Sequence, residues 1–242
     1  MPKLAITDLV KEVHNSGLLR YLDMRLQEAS FKRPVVIVFI GYVGAGKTTH
    51  ILVAFNALKR MGYKVHKTYV KTTFFVTMLL NRLRLLRGII WRFAVALDLL
   101  LNSVLLPVML WFRVTFFPLA TKKQVVLVEE HLPGSLVDYV HAAMILSLVP
   151  IACPAMKILT KLSRKSTWSG LVHVSCDKRL LPERWAKRGT PCERETYLLV
   201  QDLVFKILSK KLNNNDVLYI DTSKEFNRNR CKIEEFILHS LI

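Results

Sequence analysis

Residues 35–50 have the sequence VVIVFIGYVGAGKTTH, and this stretch decides the fold. Its six leading apolar residues predict a buried strand, because the run is too short for a helix and rich in β-branched side chains. A glycine followed by four residues and then Gly-Lys-Thr (Gly41 to Thr48) has the spacing of a phosphate-binding loop. Residues 47–60 have helical periodicity, so the positive end of a helix would face the bound phosphates. The stretch therefore predicts a bound nucleoside triphosphate.

Two side chains of this loop are expected to contact the nucleotide and its metal ion. Lys47 is expected to bridge the β- and γ-phosphates, and the Thr48 hydroxyl is expected to bind Mg²⁺. A chance match in a glycine-containing turn is the alternative, and the flanking strand and helix argue against it. The predicted nucleotide-binding residues are Gly41, Val43, Gly44, Ala45, Gly46, Lys47, Thr48 and Thr49.

The rest of the chain alternates between predicted strands and helices. Alternation of this kind indicates parallel pairing with right-handed crossovers. We therefore predict the α/β class: a doubly wound, five-stranded parallel sheet with helices on both faces. Residues 3–29 predict an amphipathic helix, so we expect an N-terminal helical extension (1–33) before one domain (34–242). The further strands are predicted at 63–70, 124–130, 171–177 and 216–222, and the clearest further helices at 194–211 and 231–241.

Two later regions contain charged side chains that could act at the phosphate site. Glu129 and Glu130 end the third strand, where a carboxylate often holds Mg²⁺ or its water; adjacent strand residues point to opposite faces, so we expect only Glu129 to face the loop. The alternative is a solvated strand end. A basic lid is predicted around 180–196, able to close over the phosphates and exclude water. An exposed basic helix end is the alternative there. The predicted catalytic residues are Lys47, Arg184, Arg188 and Arg194.

Composition bears on partners and compartment. The 242 residues carry a net charge of +18, and residues 29–176 hold nineteen Lys and Arg against four acidic residues. Such a field attracts nucleotides, nucleic acids or anionic membranes, although no nucleic-acid-binding motif accompanies the charge. The four cysteines form no Cys-x-x-Cys pair and the N-terminus has no apolar signal core, so we predict a reducing, cytoplasmic compartment.

Residues 88–120 allow more than one interpretation. FAVALDLLLNSVLLPVMLWF (93–112) contains one charge and is long enough to span a bilayer. A single crossing would, however, separate the phosphate loop from Glu129, and Asp98 and Pro107 weaken the case further. We expect a core helix or a homodimer interface. Shallow contact with an anionic membrane is the alternative, helped by Arg82, Arg84, Arg87 and Arg92.

Over residues 34–240 the chain resembles, in order, the thymidylate kinase family of P-loop nucleoside monophosphate kinases. GYVGAGKTT (41–49) is similar to the family's phosphate loop, and VVLVEEHLPGSLVDY (125–139) to the strand with its Asp-Arg-Tyr motif. LPERWAKRGTPCERE (181–195) resembles the lid, and VLYIDTS (217–223) the last strand. The resemblance implies phosphoryl transfer from ATP, with Mg²⁺, to dTMP or a related small phosphorylated acceptor in nucleotide biosynthesis. It places Arg184 near the adenine, and the lid arginines near the phosphates.

The acceptor side departs from the family pattern at three places. VKTTFF (70–75) stands where the family has Arg-Glu-Pro-Gly, with Lys71 its only charge. Asp98-Leu99 replaces an Asp-Arg pair, and Glu130 replaces the arginine of Asp-Arg-Tyr. Three contacts to the acceptor are therefore missing or altered, while the ATP half is intact. An acceptor-less P-loop NTPase, peripherally bound to membranes, is the alternative function.

Overall fold

The computed structural model describes residues 34–85, 88–163, 168–211 and 216–241. The predicted N-terminal helix at 3–29 and the 1–33 extension lie outside these residues, as does Arg87. All five predicted strands are present, each end within two residues of its predicted position. They are β1 (Val35–Gly41), β2 (Val65–Val70), β3 (Val125–Glu130), β4 (Gly170–Ser175) and β5 (Val217–Asp221).

Helices connect the strands, and those predicted at 47–60, 194–211 and 231–241 are confirmed, the last beginning five residues earlier than expected. A π-helical turn at Trp111–Phe116 follows the longest helix without a break, and a 3-10 turn at Lys178–Leu180 precedes the lid helix. The α-helices are α1 (Lys47–Arg60), α2 (Phe75–Arg82), α3 (Gly88–Leu110), α4 (Phe117–Ala120), α5 (His131–Leu146), α6 (Val149–Ser163), α7 (Leu181–Arg188), α8 (Glu195–Lys211) and α9 (Phe226–His239).

The sheet confirms the predicted fold class. Its strands are all parallel, in the order β2-β3-β1-β4-β5, so the chain winds to one side of β1 and then to the other. Alternate residues of β1 enter two cores: Ile37 and Phe39 pack with α1 and α9, whereas Val36 and Val38 pack with α3, α5, α6 and α8. Both faces of β1 are therefore buried, which explains its continuous apolar sequence. Ligands of such sheets bind at the carboxyl ends of the strands, where the winding reverses.

One long helical segment, Gly88–Ala120, is long and apolar enough to cross a membrane by length and composition alone, with a mean hydropathy of 2.1 in its most apolar window. Its inner face packs against α6 and belongs to the core, which confirms the expected core helix for that face. Its outer face exposes large apolar side chains every three or four residues, a surface we call the apolar stripe. The stripe comprises Phe93, Leu100, Leu101, Val104, Leu105, Val108, Trp111, Phe112, Phe116 and Leu119.

Candidate active site

The phosphate loop begins where β1 touches β4. Gly41 has a φ of +146°, and a Cβ there would lie 1.9 Å from the Val174 carbonyl oxygen, so only glycine fits. The loop ends at Gly46, whose φ of +97° starts α1 at Lys47. No side chain caps α1 within the part of the chain that is described. The first N–H groups of the helix therefore remain available to an anion.

Lys47 is buried at the inner wall of this loop. Its ammonium group donates to the carbonyl oxygens of Gly41 at 2.8 Å and Tyr42 at 3.0 Å. It also forms an ion pair with Glu130, 3.0 Å from Oε1. Three oxygens thus hold the cation beside the helix start, where a bound triphosphate would meet it.

Thr48 and Glu129 meet at the mouth of the loop. The Thr48 hydroxyl lies 2.9 Å and 3.1 Å from the two carboxylate oxygens of Glu129. A hydroxyl and a carboxylate supply the oxygen ligands that Mg²⁺ prefers, so these residues fit the ion. Across the described ranges, no three His, Cys, Asp or Glu side chains converge to form an all-protein metal site. The remaining ligands would come from phosphate and water, as is usual for Mg²⁺.

Glu130 also reaches the loop, contrary to our expectation that only one of the two glutamates would. Its backbone leaves the extended conformation, with φ 76° and ψ −69°, and His131 follows with φ 57°. Side chains alternate between faces only while the backbone stays extended. The turn at Glu130 therefore brings its carboxylate back to Lys47. A non-glycine residue in this region costs about 1–3 kcal/mol, which the surrounding packing must offset.

The lid helix α7 is fastened to the phosphate loop. The Trp185 indole N–H donates to the Val43 carbonyl at 2.8 Å. Arg184 donates to the Gly44 carbonyl at 3.3 Å, and to the hydroxyl and carbonyl oxygens of Thr222 at 2.9 Å and 3.1 Å. The Arg184 guanidinium thus donates its hydrogen bonds to protein oxygens, and these bonds hold the loop in position.

A cavity of about 310 Å³, the α7 cavity, lies between α7 and the start of α1. Thr49, Arg184 and Arg188 line it, together with the ring of Phe226. Arg194 lies elsewhere: it is exposed beyond α7, and its charge acts on His141 of α5, whose pKa is lowered to about 4 by burial and by Arg194. The three predicted lid arginines therefore do not converge on one place in this structure.

A second and larger cavity, of about 660 Å³, opens beside the carboxyl end of β2, and we call it the β2 cavity. Its walls come from β2, α2, α3, α5 and α8. Asp98 of α3 fixes one wall by accepting the backbone N–H groups of Val76 and Thr77, each at 2.8 Å. Asn102 fixes the adjoining segment by bonding both backbone groups of Thr73. The lining residues include Tyr69, Lys71, Thr72, Phe74, Met78, Met109, Arg113, Asp138, Glu193 and Tyr197.

Asp138 is the most perturbed acid of the β2 cavity. It is 6% exposed, and its Oδ1 accepts a 2.7 Å hydrogen bond from the Tyr197 hydroxyl. Its pKa is raised to about 6 by burial, against the opposing effects of Lys71, Tyr197 and Thr72. Burial disfavours the charged form of Lys71, but Asp138 and other nearby anionic groups raise its pKa overall. The Thr72 side chain interacts with the Asp138 carboxylate and favours its charged form, and both Asp138 Oδ2 and the Thr72 hydroxyl are closed off from solvent.

Sequence reasoning did not single out Thr72, Arg113, Asp138 or Tyr197. One signal pointed to Asp138. Residues 29–176 contain only four acidic residues, and three of them, Asp98, Glu130 and Asp138, are buried. A buried acid in a segment that has few acids and many apolar residues is a candidate for a functional role.

Comparison with solved structures places the fold. The chain is similar to thymidylate kinase from Ehrlichia chaffeensis, with a TM-score of 0.50 and 18% identity over 84% of this chain and 98% of that one. It also matches the signal recognition particle receptor FtsY from Elizabethkingia anophelis, with a TM-score of 0.34 and 13% identity over 98% of this chain and 79% of that one. No protein-family model and no curated protein matches the sequence. The sheet order, the phosphate loop and the likeness to the thymidylate kinase structure together show a P-loop NTPase fold.

Proposed function

We propose that this protein transfers the γ-phosphoryl group of ATP to a small acceptor bound in the β2 cavity. The observation that carries the proposal is that the cavity adjoins the phosphate loop. Val70 pairs with Glu130 across β2 and β3, and the Glu130 carboxylate lies 3.0 Å from the Lys47 ammonium. Lys71, the residue that follows β2, lines the cavity.

The residues then take the following roles. The loop N–H groups and Lys47 hold the triphosphate, Arg188 faces the α7 cavity and Arg184 keeps the loop in place. Thr48 and Glu129 would hold Mg²⁺, which neutralises phosphate charge when bound. An acceptor oxygen forms a bond to the γ-phosphorus while the bond to the ADP oxygen breaks, and the acceptor proton is released. Catalysis is then mainly positioning and electrostatic stabilisation.

The thymidylate kinase neighbour and the order of the motifs support nucleoside monophosphates, dTMP among them, as the first acceptor class to test. The assay supplies Mg²⁺ and ATP, adds one acceptor at a time and measures ADP. We expect ADP formation that depends on the acceptor and is reduced about a hundredfold or more in the Lys47→Met variant. An equal rate of ADP formation with and without every acceptor contradicts the proposal. A cytoplasmic location stays a prediction.

A second candidate, an acceptor-less NTPase at the membrane surface, is favoured by the apolar stripe. A helix of 33 residues is about 50 Å long, and Arg82, Arg84 and Arg92 are exposed near one end of the stripe. An apolar helix face with flanking arginines suits the interface of an anionic bilayer. This candidate predicts acceptor-independent hydrolysis and sedimentation with anionic vesicles that weakens as salt is added.

Leu105→Glu, in the middle of the apolar stripe, discriminates between the possible partners of this surface. Loss of vesicle binding by a monomeric protein supports the membrane. If the wild-type protein sediments as a dimer and the variant as a monomer, the stripe is instead the homodimer interface predicted from the sequence. Retention of the wild-type protein in the supernatant at low salt contradicts membrane contact.

A further inference from the structure

The mouth of the β2 cavity is bordered by apolar side chains that face solvent. Met78 of α2 and Met109 of α3 line the cavity, and Met78 is 60% exposed. On α2, the exposed ring of Phe75 lies about one turn before Met78. On α3, Leu105 of the apolar stripe lies about one turn before Met109. The exposed apolar side chains of both helices therefore continue into the cavity.

This apolar surface extends from the cavity to the start of α3. All the residues of α2, which packs against α3, are at least partly exposed, Leu79 among them. Residues 88–93, which begin α3, are all exposed, with Ile89 at 81% and Phe93 at 68%. We call these residues, together with Phe75, Met78 and the apolar stripe, the apolar face. Exposed apolar surface on this scale marks a contact with a membrane or with another protein.

The charges near the apolar face are of one sign. Exposed cations lie near both ends of the long helical segment: Arg82, Arg84, Arg92 and Lys122. Of the acidic residues among the described positions from 34 to 163, three are buried and one is bonded to Thr48 at the phosphate loop: Asp98, Glu130, Asp138 and Glu129. The cations of this face thus have no exposed acid beside them in that part of the chain.

This distribution of charge favours a membrane over a second copy of the chain. A two-fold dimer through the apolar face would bring the same patch against itself. Its arginines would then meet other arginines and no anions. An anionic bilayer supplies an apolar interior for the side chains of the face and negative head groups for its cations.

We propose that the β2 cavity takes its acceptor from an anionic membrane, and that this acceptor is a lipid. Its head group enters the cavity, and its hydrocarbon chain leaves past Met78 and Met109 along the apolar face. The inference rests on the proposed function and narrows the acceptor to an amphiphile. An oxygen of the head group bonds to the γ-phosphorus while the bond to the ADP oxygen breaks. The products are ADP and the phosphorylated lipid, and a hydroxyl head group also releases its proton.

The first measurement is binding to vesicles of phosphatidylglycerol or of phosphatidylcholine, followed by sedimentation. We expect binding to phosphatidylglycerol, and lipids with brominated chains should quench the exposed Trp91 and Trp111. Phe93→Glu, about 24 Å along the helix from Met109, should weaken binding at least tenfold, because a charge replaces a ring that enters the bilayer. Met61→Glu is the control, because Met61 is 48% exposed at the end of α1, on the other face of the sheet. It should leave binding unchanged.

The second measurement is ADP formation with acceptors that differ mainly in their hydrocarbon chains. Dioleoylglycerol is compared with glycerol, dioleoyl phosphatidate with glycerol 3-phosphate, and farnesyl monophosphate with dimethylallyl monophosphate. Each is supplied with ATP, Mg²⁺ and phosphatidylglycerol vesicles, and dTMP serves as the soluble reference. We expect the long-chain member of at least one pair to give ADP at least ten times faster than its short-chain counterpart. Phe93→Glu should lower this rate at least tenfold at limiting vesicle concentration, and Met61→Glu should retain it.

The inference is overturned if the wild-type protein does not bind phosphatidylglycerol vesicles, or if no long-chain acceptor exceeds its short-chain counterpart. Its failure differs from that of the proposed function. Turnover of dTMP or of short-chain acceptors alone supports transfer to a small acceptor and rejects the lipid. ADP formation that no acceptor changes, by a protein that does bind the vesicles, rejects transfer itself and supports the acceptor-less NTPase.

Discussion

The backbone of the phosphate loop comes from nine consecutive residues, 41–49, whereas the walls of the β2 cavity come from five elements spread from Tyr69 to Tyr197. In the loop, the cation Lys47 has three oxygens around it. In the cavity, the Asp138 carboxylate is buried against the Tyr197 hydroxyl and the Thr72 side chain, which come from different elements. The geometry of the loop is set mainly by its local sequence, whereas the geometry of the cavity depends on how five elements pack together. The two halves should therefore respond differently to substitution.

The largest effect is expected for Gly41→Ala. The new Cβ would meet the Val174 carbonyl oxygen at 1.9 Å, and the φ of +146° disfavours any side chain. We expect the free energy of unfolding to fall by more than about 4 kcal/mol, measured by urea denaturation. Gly62→Ala is the control, since its φ is +88° but nothing lies within 4 Å; a loss of about 1–2 kcal/mol is expected there. Equal losses would show that the loop backbone tolerates a side chain.

Lys47→Met should lower turnover about a hundredfold to a thousandfold, or about 2.7–4 kcal/mol of transition-state stabilisation, because a preorganised cation beside the phosphates is lost. ADP formation at saturating ATP measures the loss. Lys47→Met also leaves Glu130 without its cation, so Lys47→Met with Glu130→Gln serves as a second variant with no unpaired buried carboxylate. Lys59→Met, exposed on the same helix, should keep full activity. Turnover unaffected in both Lys47 variants refutes the assigned role.

Asp138→Asn should stabilise the fold in a pH-dependent way. The folded state raises the pKa of Asp138 from 3.8 to about 6, so it binds the proton more tightly than the unfolded chain does. The resulting stability is complete below pH 3.8 and is lost as the pH rises through about 6. About two pKa units correspond to about 3 kcal/mol.

Urea denaturation of wild type and Asp138→Asn checks this. We expect the variant to gain up to about 3 kcal/mol over wild type between about pH 4 and about pH 8. Lys71, Tyr197, Thr72 and Glu130 are the groups that act on Asp138, and all four are unchanged in the variant. A difference that is constant with pH would mean that Asp138 ionises in the folded protein as readily as in the unfolded chain.

The smallest effect is expected for Thr222→Val. The Thr222 hydroxyl donates to the Ala45 carbonyl at 2.8 Å and accepts from Arg184 at 2.9 Å. Its loss should reduce the free energy of unfolding by about 1 kcal/mol, with Thr222→Ser as the control that retains the hydroxyl. A similar loss in Thr222→Ser would assign the effect to the methyl group and its packing.

Local sequence signals predicted the fold and the position of the phosphate loop because both depend on neighbouring residues. The apolar run at 35–40 and the glycine spacing needed only their own neighbours, and the pairing of Thr48 with Glu129 follows from adjacent parallel strands ending at one edge. Glu130 was mispredicted because its positive φ is imposed by surrounding packing and not by its residue type. Asp138 and Tyr197 are 59 positions apart, and no local pattern links them.

Asp98 is a residue whose role could not be predicted from the resemblance. The resemblance treated it as the remnant of an acceptor-binding pair. In the structure both of its carboxylate oxygens are taken by the N-terminal turn of α2. Its role in the β2 cavity is thus to shape a wall, because Asp98 is fully buried and all three donors to its carboxylate belong to α2.

The bond between Trp185 and Val43 gives the phosphate loop an optical reporter. The indole is 3% exposed and donates to a carbonyl of the loop itself, so a change in the loop alters the surroundings of a fluorophore. Trp91 and Trp111 are exposed and their emission is accessible to iodide quenching. Trp168 is the other buried indole, and Trp168→Phe removes its signal. Nucleotide binding can then be followed in the unlabelled Trp168→Phe variant through the emission of a single buried tryptophan.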